Sequence, residues 1–374
     1  MLFTQYQSLV LMALALWLLP LLLVWVRFDE FPHAREMILA VLFTPTLLVD
    51  DYLLAFNVSQ DWYFLAGLFF CMPVVLSALL SLAVARLVLD KSRYKPWIIW
   101  APALLMLGLE LPFLLAPLAP LAYKVTLLQS APVGQIKEHW PLYAYMALLH
   151  FFVLVLAFGV ERRISDYQHH LSDQVVDTHF YRFSVAIRSF GGLITLAFLA
   201  LIVTLLVAFN LLSFTEWRSF ISFCYYLMFV LLTLVLMDKR RYSPCPLDYK
   251  ILASHTFSDA YLQEVLSQAE KAMIKHKAYK HIGLRIREFA RVAEVNPNAL
   301  AIATRKLLNR NFRAFVYHYR LEYAKNVLMR SDARVSDVAR RLGFDSEKFL
   351  SGVFVKYIQQ MGREGKGKDE STLL

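Results

Sequence analysis

The sequence predicts an all-α protein in which a bundle of seven membrane-spanning helices precedes a small helical domain. Three observations predict this fold class. Hydrophobic residues make up 58% of the 374 residues and the mean hydropathy is +0.48, which is too apolar for a single soluble domain. Apolar runs fill the chain up to about residue 237, and most reach the ~20 residues that a helix needs to cross a bilayer. The remaining sequence is polar and carries helical periodicity with turn signals.

The apolar runs predict the spans directly, because polar connections separate them. The runs cover about residues 8–26, 37–57, 63–89, 97–121, 141–160, 190–212 and 219–237. The first run lacks a basic stretch before it and a small-residue cleavage site. We therefore expect it to be a retained helix rather than a removable signal peptide.

Lys and Arg in the connections predict the orientation, because cytoplasmic loops carry an excess of both. The residues on the richer side are Arg27, Arg35, Lys91, Arg93, Lys95, Arg162, Arg163, Arg182, Arg188, Lys239, Arg240 and Arg241. The other side holds Lys124, Lys137 and Arg218. We expect a multi-pass protein of the bacterial inner (cytoplasmic) membrane, with its N-terminus outside and its C-terminal domain in the cytoplasm.

Ionisable residues inside the apolar runs are candidate signal-sensing residues, because they are costly in a bilayer. Asp50 and Asp51 lie late in the second run, where a solvated helix end is the competing interpretation. Glu110 lies deep in the fourth run and His150 in the fifth. The hypothesis is that Glu110 and His150 form part of a ligand- or proton-sensing cavity between helices.

The polar connection 161–188 contains three histidines, His169, His170 and His179. It has no carboxylate-histidine zinc signature, so a cytoplasmic extension of the flanking helices is favoured over a metal site. The cysteines, at positions 71, 224 and 245, show no metal or disulfide spacing. We expect neither a metal nor another cofactor.

Residues 284–357 predict two helix-turn-helix units. In the first, Asn296-Pro297 supplies an N-cap residue followed by proline at the first helical position. In the second, Gly343 supplies a residue that accepts positive φ in the turn. The helix between the units carries an apolar stripe at i, i+3, i+4 spacing from Phe312 to Leu328.

Composition and helix signals give the domain boundaries. A linker with Pro244 and Pro246 separates the spans from a helix capped by Ser258 or Asp259. The predicted organisation is a membrane sensor domain at 1–238, a linker at 239–258, the helix-turn-helix domain at 259–362 and a disordered tail at 363–374. Residues 238–374 carry 26 Lys and Arg against 15 Asp and Glu, a net charge of +11 that can attract a polyanion.

At these residues the chain resembles the AraC/XylS family of bacterial transcription regulators, over roughly residues 259–366. The matching positions are Asn311, Phe312, Arg320, Ala324, Leu328, Val335, Ala339, Gly343, Phe344, Ser346, Leu350 and Phe354. The resemblance implies a cytoplasmic AraC-like domain that binds double-stranded DNA through two helix-turn-helix motifs. The second helix of each motif would enter the major groove.

The resemblance also implies which residues meet DNA. The base-facing positions fall on Asn298, Ala301 and Ile302 in the first unit and on Glu347, Lys348, Ser351 and Gly352 in the second. The basic candidates near them are Arg305, Lys306, Arg340, Arg341 and Lys356. The chain departs from the family pattern at Gly352, where arginine is usual, and at Glu294, where the first turn usually has glycine.

These features predict a membrane-integrated, one-component transcription regulator that responds to an envelope or membrane signal. Double-stranded DNA, the lipid bilayer and an unknown small-molecule or membrane signal are the expected partners, and RNA polymerase and a second copy of the chain are further candidates. The alternative is a receptor or transporter-like protein whose C-terminal domain is a degenerate protein-interaction module, which the change at Gly352 motivates. An integral-membrane enzyme ranks lowest, because the sequence has no nucleotide loop, nucleophile elbow, zinc motif or kinase signature.

Overall fold

The structure is a computed structural model, and it describes residues 5–31, 33–56, 62, 65, 67–88, 95–115, 136–212, 214–238, 247, 257–330, 334–344 and 351–352. Over these residues the regular secondary structure is helical, and an isolated β-bridge joins Val175 to Arg285. The all-α class is confirmed. The chain divides into an N-terminal unit, Met1–Tyr167 with Phe183–Pro244, and a C-terminal unit, Gln168–Arg182 with Cys245–Leu374.

The N-terminal unit is built from apolar helices. They are α1 (Gln5–Val26), α2 (Ala34–Phe43), α3 (Val49–Ala55), α4 (Met72–Val88), α5 (Pro96–Leu115), α6 (Ile136–His169), α8 (Ser184–Ala208) and α9 (Phe214–Leu236). A 3-10 turn at Thr44–Leu48 joins α2 to α3, and together they cover the second apolar run. Each of the predicted runs overlaps a helix or a pair of helices over its described residues.

Five segments of the described residues are long and apolar enough to cross a membrane. They are Gln5–Val26, Ala34–Ala55, Trp140–His169, Ser184–Ala208 and Trp217–Leu236. Two further apolar stretches, Met72–Val88 and the part of α5 from Pro96 to Glu110, are shorter than these five. The apolar helices are compatible with a membrane domain, while the number of seven spans stays a prediction.

The outer surface of the N-terminal unit is apolar, as the packing of two helices illustrates. In α4 nearly every side chain is buried, because α2 and α5 both pack against it. In α1, by contrast, Leu19, Leu22 and Trp25 are more than half exposed. Apolar surface on this scale is unfavourable in water and is typical of a face that meets lipid or another protein.

The C-terminal unit contains α7 (Leu171–Gln174), α10 (Asp259–Lys275), α11 (Ile286–Val292), α12 (Pro297–Leu308), α13 (Phe312–Arg330) and α14 (Val335–Arg341). Its cap signals act as the sequence predicts. The Ser258 hydroxyl accepts a hydrogen bond from the Tyr261 backbone N–H at 3.4 Å, and α10 begins at Asp259. Asn296 Oδ1 accepts from the Asn298 backbone N–H at 2.9 Å, which starts α12.

Helix α13 joins the two helix-turn-helix units by contributing to two hydrophobic clusters. Phe312, Phe315 and Val316 pack in the first cluster with α10, α11 and α12. Leu321 and Ala324 pack in the second cluster with the apolar face of α14. The predicted apolar stripe of α13 therefore contributes to both hydrophobic clusters, and this helix connects the two helix-turn-helix units through its packing.

The turns of the two units use different residues at positive φ. Gly343 has φ +72° in the second unit, and a Cβ atom there would lie 3.0 Å from Ile282 Cγ1. Glu294 has φ +56° in the first unit, where the related family usually has glycine. A side chain in this conformation costs about 1 kcal/mol or more. The first turn therefore takes positive φ at a residue type for which that backbone conformation is unfavourable.

The part of the polar connection that packs with the C-terminal unit is called here the connecting segment (Gln168–Arg182). Helix α6 does extend beyond its apolar part, to His169, as predicted. The short helix α7 and a 3-10 turn at Thr178–Tyr181 then follow, and α7 packs against α11 and α13. The reason for this packing is the apolar pair Val175 and Val176, which is fully buried in the C-terminal unit.

Candidate nucleic-acid interface

The first helix-turn-helix unit consists of α11, a turn through Glu294, and α12. The backbone N–H of Val295 donates to the Ala290 carbonyl at 2.9 Å, which closes the turn. Asn298 lies in the first turn of α12 and is partly exposed. This is the end of the second helix that meets base edges in a helix-turn-helix domain.

The structure places two of the predicted base-facing residues in the hydrophobic core. Ala301 is 1% exposed and Ile302 is 6% exposed, and both belong to the first hydrophobic cluster. A side chain without accessible surface cannot contact a base edge. In this structure Ala301 and Ile302 therefore offer little surface to a base edge, and the base-facing residues of this unit stay a prediction.

The predicted basic residues of α12 are both engaged in ion pairs. Arg305 donates through Nε to Asp173 Oδ1 at 2.9 Å and through Nη2 to Asp173 Oδ2. Lys306 pairs with Asp259 at the start of α10. Both basic side chains stay about 40% exposed (40% and 38%), so they lie at the surface although their charges are paired.

The second helix-turn-helix unit is described in part. Arg340 and Arg341 are exposed at the C-terminal end of α14, where basic side chains also interact favourably with the helix dipole. Ser351 and Gly352 are exposed. The remaining predicted contacts of this unit, Glu347, Lys348 and Lys356, lie outside the described residues.

A comparison with protein families identifies the C-terminal unit. The family described as Helix-turn-helix domain matches residues 289–361, which begin in α11 and run through both helix-turn-helix units. The chain carries an AraC-type helix-turn-helix domain. Its DNA-binding, transcription-regulating character follows from that match, and DNA is the partner that the match supports. The comparisons with curated proteins and with solved structures each gave no match.

The AraC-type domain is preceded by α10, which packs against α12 and lies outside the matched residues. The basic side chain of Arg313 on α13 donates to the Thr178 hydroxyl at 3.3 Å and to the Tyr317 hydroxyl at 3.2 Å. Thr178 belongs to the connecting segment. Arg313 is thus another basic residue of the domain that contacts this segment.

A second polar site lies within the N-terminal unit, where three of the four candidate signal-sensing residues, Asp50, Asp51 and His150, line a cavity of about 70 Å³. Asp50 Oδ2 accepts a hydrogen bond from Arg218 Nη1 at 3.1 Å, and both residues line the cavity. His150 Nδ1 and the Tyr225 hydroxyl, also in the lining, are hydrogen-bonded at 3.0 Å. A volume of this size can hold a few water molecules or a small polar ligand.

Two buried polar atoms of this cavity lack a hydrogen-bond partner among the described residues, namely Arg218 Nη2 and His150 Nε2. Asp51 also lines the cavity and accepts from the Tyr6 hydroxyl at 2.8 Å. The competing interpretation of the Asp pair, a solvated helix end, does not describe Asp51, which is 4% exposed.

Glu110 lies beside this cavity rather than in its lining. Its carboxylate accepts from the Phe70 backbone N–H at 3.2 Å and from the Tyr145 hydroxyl at 3.3 Å, and both of these partners line the cavity. Glu110 and His150 therefore belong to one polar region but do not touch. Among the described residues, no group of three His, Cys, Asp or Glu could hold a metal ion.

Sequence reasoning missed four residues that the structure places at these sites. In the sequence, Arg218 was used only to predict the orientation of the spans. A charged residue at the start of an apolar run is also a sign of a functional site. Tyr225 gave no signal beyond an aromatic residue in a span. Asp173 pairs with Arg305, and Asp177 pairs with Arg320 on α13 at 2.9 Å. Both aspartates lie in a polar connection, and no local pattern links them to arginines so far along the chain.

Proposed function

We propose that this protein is a membrane-integrated, one-component transcription regulator that binds promoter DNA in response to an envelope or membrane signal. The observation that carries the proposal is the presence, in one chain, of an AraC-type domain and of apolar helices long enough to cross a membrane. The chain's charge supports it, because the +11 excess lies entirely beyond residue 237. A domain bound to DNA while tethered to a membrane requires the cytoplasmic orientation predicted above.

The cavity that contains Asp50, His150 and Arg218 is the proposed signal site. Buried polar atoms without a partner are costly, at about 1–3 kcal/mol each, so a ligand or water that forms hydrogen bonds with them is stabilised there. A signal acts only through a difference in affinity for two arrangements of the helices. Arg218 lies near the start of α9 and His150 within α6, so a ligand between them would couple the two helices.

The remaining parts of the proposal concern topology and assembly. Seven spans with the N-terminus outside would place both the connecting segment and the AraC-type domain in the cytoplasm. A second copy of the chain would raise the local concentration of DNA-binding domains at a promoter with two half-sites. RNA polymerase is the expected further partner of a promoter-bound regulator.

The proposal is tested by genome-wide crosslinking of the intact, membrane-inserted protein to DNA. The matched loss-of-binding variant carries Arg305→Ala, Lys306→Ala, Arg340→Ala and Arg341→Ala. A regulator should enrich a small set of promoters, and the variant should lose them because phosphate contacts supply most of the affinity.

The control variant removes the same amount of charge from other exposed positions of the C-terminal unit. It replaces with alanine Lys271, Lys275, Lys325 and Arg330. Enrichment that survives in this control and disappears in the first variant assigns DNA binding to the helix-turn-helix surface. An absence of enriched promoters in the unmodified protein, across several growth conditions and with confirmed insertion, would reject the proposal.

A protein-interaction module is the second candidate, and two observations favour it. Ala301 and Ile302 are buried rather than presented to a ligand, and Gly352 stands where the related family usually has arginine. In that case the same crosslinking experiment should give no promoter enrichment, and a protein partner should copurify with the C-terminal unit in the unmodified protein.

A further inference from the structure

The connecting segment packs as part of the C-terminal unit, although in the sequence it follows α6 and precedes α8, which are helices of the N-terminal unit. The Val176 backbone N–H donates to the Leu284 carbonyl at 3.1 Å, and Val175 forms the isolated bridge with Arg285. The same segment is covalently continuous with α6 on one side and α8 on the other. A displacement of either helix therefore acts on a segment that packs in the DNA-binding unit.

Asp177 anchors the connecting segment through an ion pair that is satisfied on every side. Arg320 donates to it through Nη1 at 2.9 Å and Nη2 at 3.3 Å, and the Gly283 backbone N–H donates to it at 2.6 Å. The other donors of Arg320 reach the carbonyls of Tyr279 and His281, each at 2.8 Å. Such a buried, fully bonded pair is expected to stay closed while the unit is folded.

Asp173, four residues earlier on the same segment, makes a different kind of pair. Its carboxylate is 1% exposed, and it receives both Nε and Nη2 of Arg305, whose side chain is 40% exposed. The arginine is thus at the surface while its carboxylate partner is buried behind it. The pair can open without unfolding the unit when the part of the segment that carries Asp173 moves outward, because both charges then gain water.

Arg305 is also the basic residue best placed on the second helix of the first helix-turn-helix unit. It follows Asn298 by seven residues, about two helical turns, so both lie on one face of α12. An N–H group that donates to Asp173 is not free to donate to a phosphate or to a guanine edge. The negative charge of Asp173 also repels a phosphate that approaches Arg305.

We propose that Asp173 is an autoinhibitory latch, which holds Arg305 away from DNA until a change in α6 withdraws the first part of the connecting segment, residues 168–174, while Asp177 holds the rest in place. The inference rests on the proposed DNA-binding function, and it names how that function is regulated. Asp173 is the part of the segment that exchanges partners. The competing partner of Arg305 is a phosphate oxygen or base edge of double-stranded DNA.

The latch couples the membrane helices to DNA in both directions. A signal that favours the withdrawn segment raises the affinity for DNA, and bound DNA favours the withdrawn segment by the same factor. Coupling free energies of this kind correspond to about 5- to 150-fold in affinity. The charge on Asp173 is the source of the coupling, so its removal should give the open form without any signal.

The test measures binding of the full-length protein, in lipid nanodiscs, to a labelled 30-base-pair duplex of random sequence. Asp173→Asn keeps the shape of the side chain and removes its charge. It should bind the duplex at least about fivefold more tightly than the unmodified protein. The slope of log affinity against log salt should steepen by about 0.9, because one more basic residue contacts a phosphate.

Two controls separate the latch from a general change in charge. Glu322→Gln removes one exposed negative charge from α13, and it should leave the affinity within about twofold. In the Arg305→Ala background the substitution Asp173→Asn should give no gain, since the residue it releases is absent. An equal gain from Glu322→Gln, or a gain that persists without Arg305, would overturn the latch.

Hydrogen exchange in the unmodified protein gives a second measurement that needs no substitution. A saturating amount of the duplex should increase amide exchange over residues 170–175, where Asp173 and Val175 donate within α7. Unchanged exchange there would overturn the latch while DNA binding stands. If neither the unmodified protein nor Asp173→Asn binds the duplex, the proposed function fails, and the latch fails with it.

Discussion

Each unit of the molecule buries an arginine against an aspartate, and the two pairs differ in how completely the arginine is bonded. Arg320 in the C-terminal unit uses Nε, Nη1 and Nη2 as donors and is fully buried. Arg218 in the N-terminal unit donates Nη1 to Asp50, but its buried Nη2 has no partner among the described residues and the residue lines a cavity.

This difference in bonding shows how an arginine–aspartate pair can either stabilise the fold or bind a ligand. A buried guanidinium whose three nitrogen atoms all donate to other parts of the protein has little left to offer a ligand, so its role is to hold elements together. A buried guanidinium with a free donor beside a cavity has a direction in which it can still bind. The bonding of the arginine, rather than its burial, separates the two roles.

The largest expected effect comes from breaking the fully bonded pair. Arg320→Met keeps most of the side-chain volume but leaves Asp177 buried and unpaired, which should lower the free energy of unfolding of the C-terminal unit by about 3–5 kcal/mol. Pulse proteolysis of the full-length protein in urea, with fragments of the C-terminal unit as readout, measures this loss.

The matched control for this prediction replaces both partners. Arg320→Met with Asp177→Leu removes the unpaired charge, so much of the lost stability should return. If the double variant is as unstable as the single one, the carbonyls of Tyr279 and His281 contribute more than the ion pair itself, because they lose their donors in both variants.

The part of this pair that the sequence could reveal is small. Asp177 and Arg320 are 143 residues apart, and neither lies in a motif that predicts the other. Helix caps and turns could be predicted from the sequence, because each is determined by a few neighbouring residues. Asn296, followed by proline, predicted the start of α12, and Gly343 predicted a positive φ in the second unit.

The sequence predicted the burial of a whole apolar helix face, but not the burial of individual residues that were expected at the surface. The apolar spacing from Phe312 predicted the buried face of α13, because helical periodicity fixes which side chains share a face. The same logic could not tell that Ala301 and Ile302 are covered. Their positions in the family pattern specify a face of α12, and whether that face is open depends on packing from distant parts of the chain.

The second prediction concerns the partly bonded arginine and should give a smaller loss of stability. Arg218→Met removes one charged hydrogen bond, from Nη1 to Asp50, and Asp50 keeps the Gly67 backbone N–H at 3.0 Å. The expected loss is about 1.5–3 kcal/mol. Unfolding of the N-terminal unit in detergent, followed by tryptophan fluorescence, measures it.

The functional effect of Arg218→Met should exceed its effect on stability. A promoter that responds to the natural signal should lose that response, while DNA binding by the C-terminal unit persists. His150→Gln offers a milder change at the same cavity and should reduce the response in the same direction. A full response in both variants would show that the cavity is structural, and the contrast between the two arginines would then disappear.

The third prediction concerns the contribution of the latch pair, Asp173 and Arg305, to the free energy of unfolding. Asp173→Asn should lower the free energy of unfolding of the C-terminal unit by about 1 kcal/mol or less, because Arg305 is partly exposed and gains water as a partner. The urea experiment used for Arg320→Met measures it. A loss of about 3 kcal/mol or more would make Asp173 an anchor like Asp177.

The smallest effect is expected at the most exposed pair, Lys306 with Asp259. The side chains are 38% and 65% exposed, so water and salt screen their attraction. Lys306→Ala should change the stability of the C-terminal unit by less than about 0.5 kcal/mol, and duplex binding should weaken with a salt slope lower by about 0.9. A normal affinity and slope in this variant would place Lys306 outside the DNA contact and confine the first unit's charge contact to Arg305.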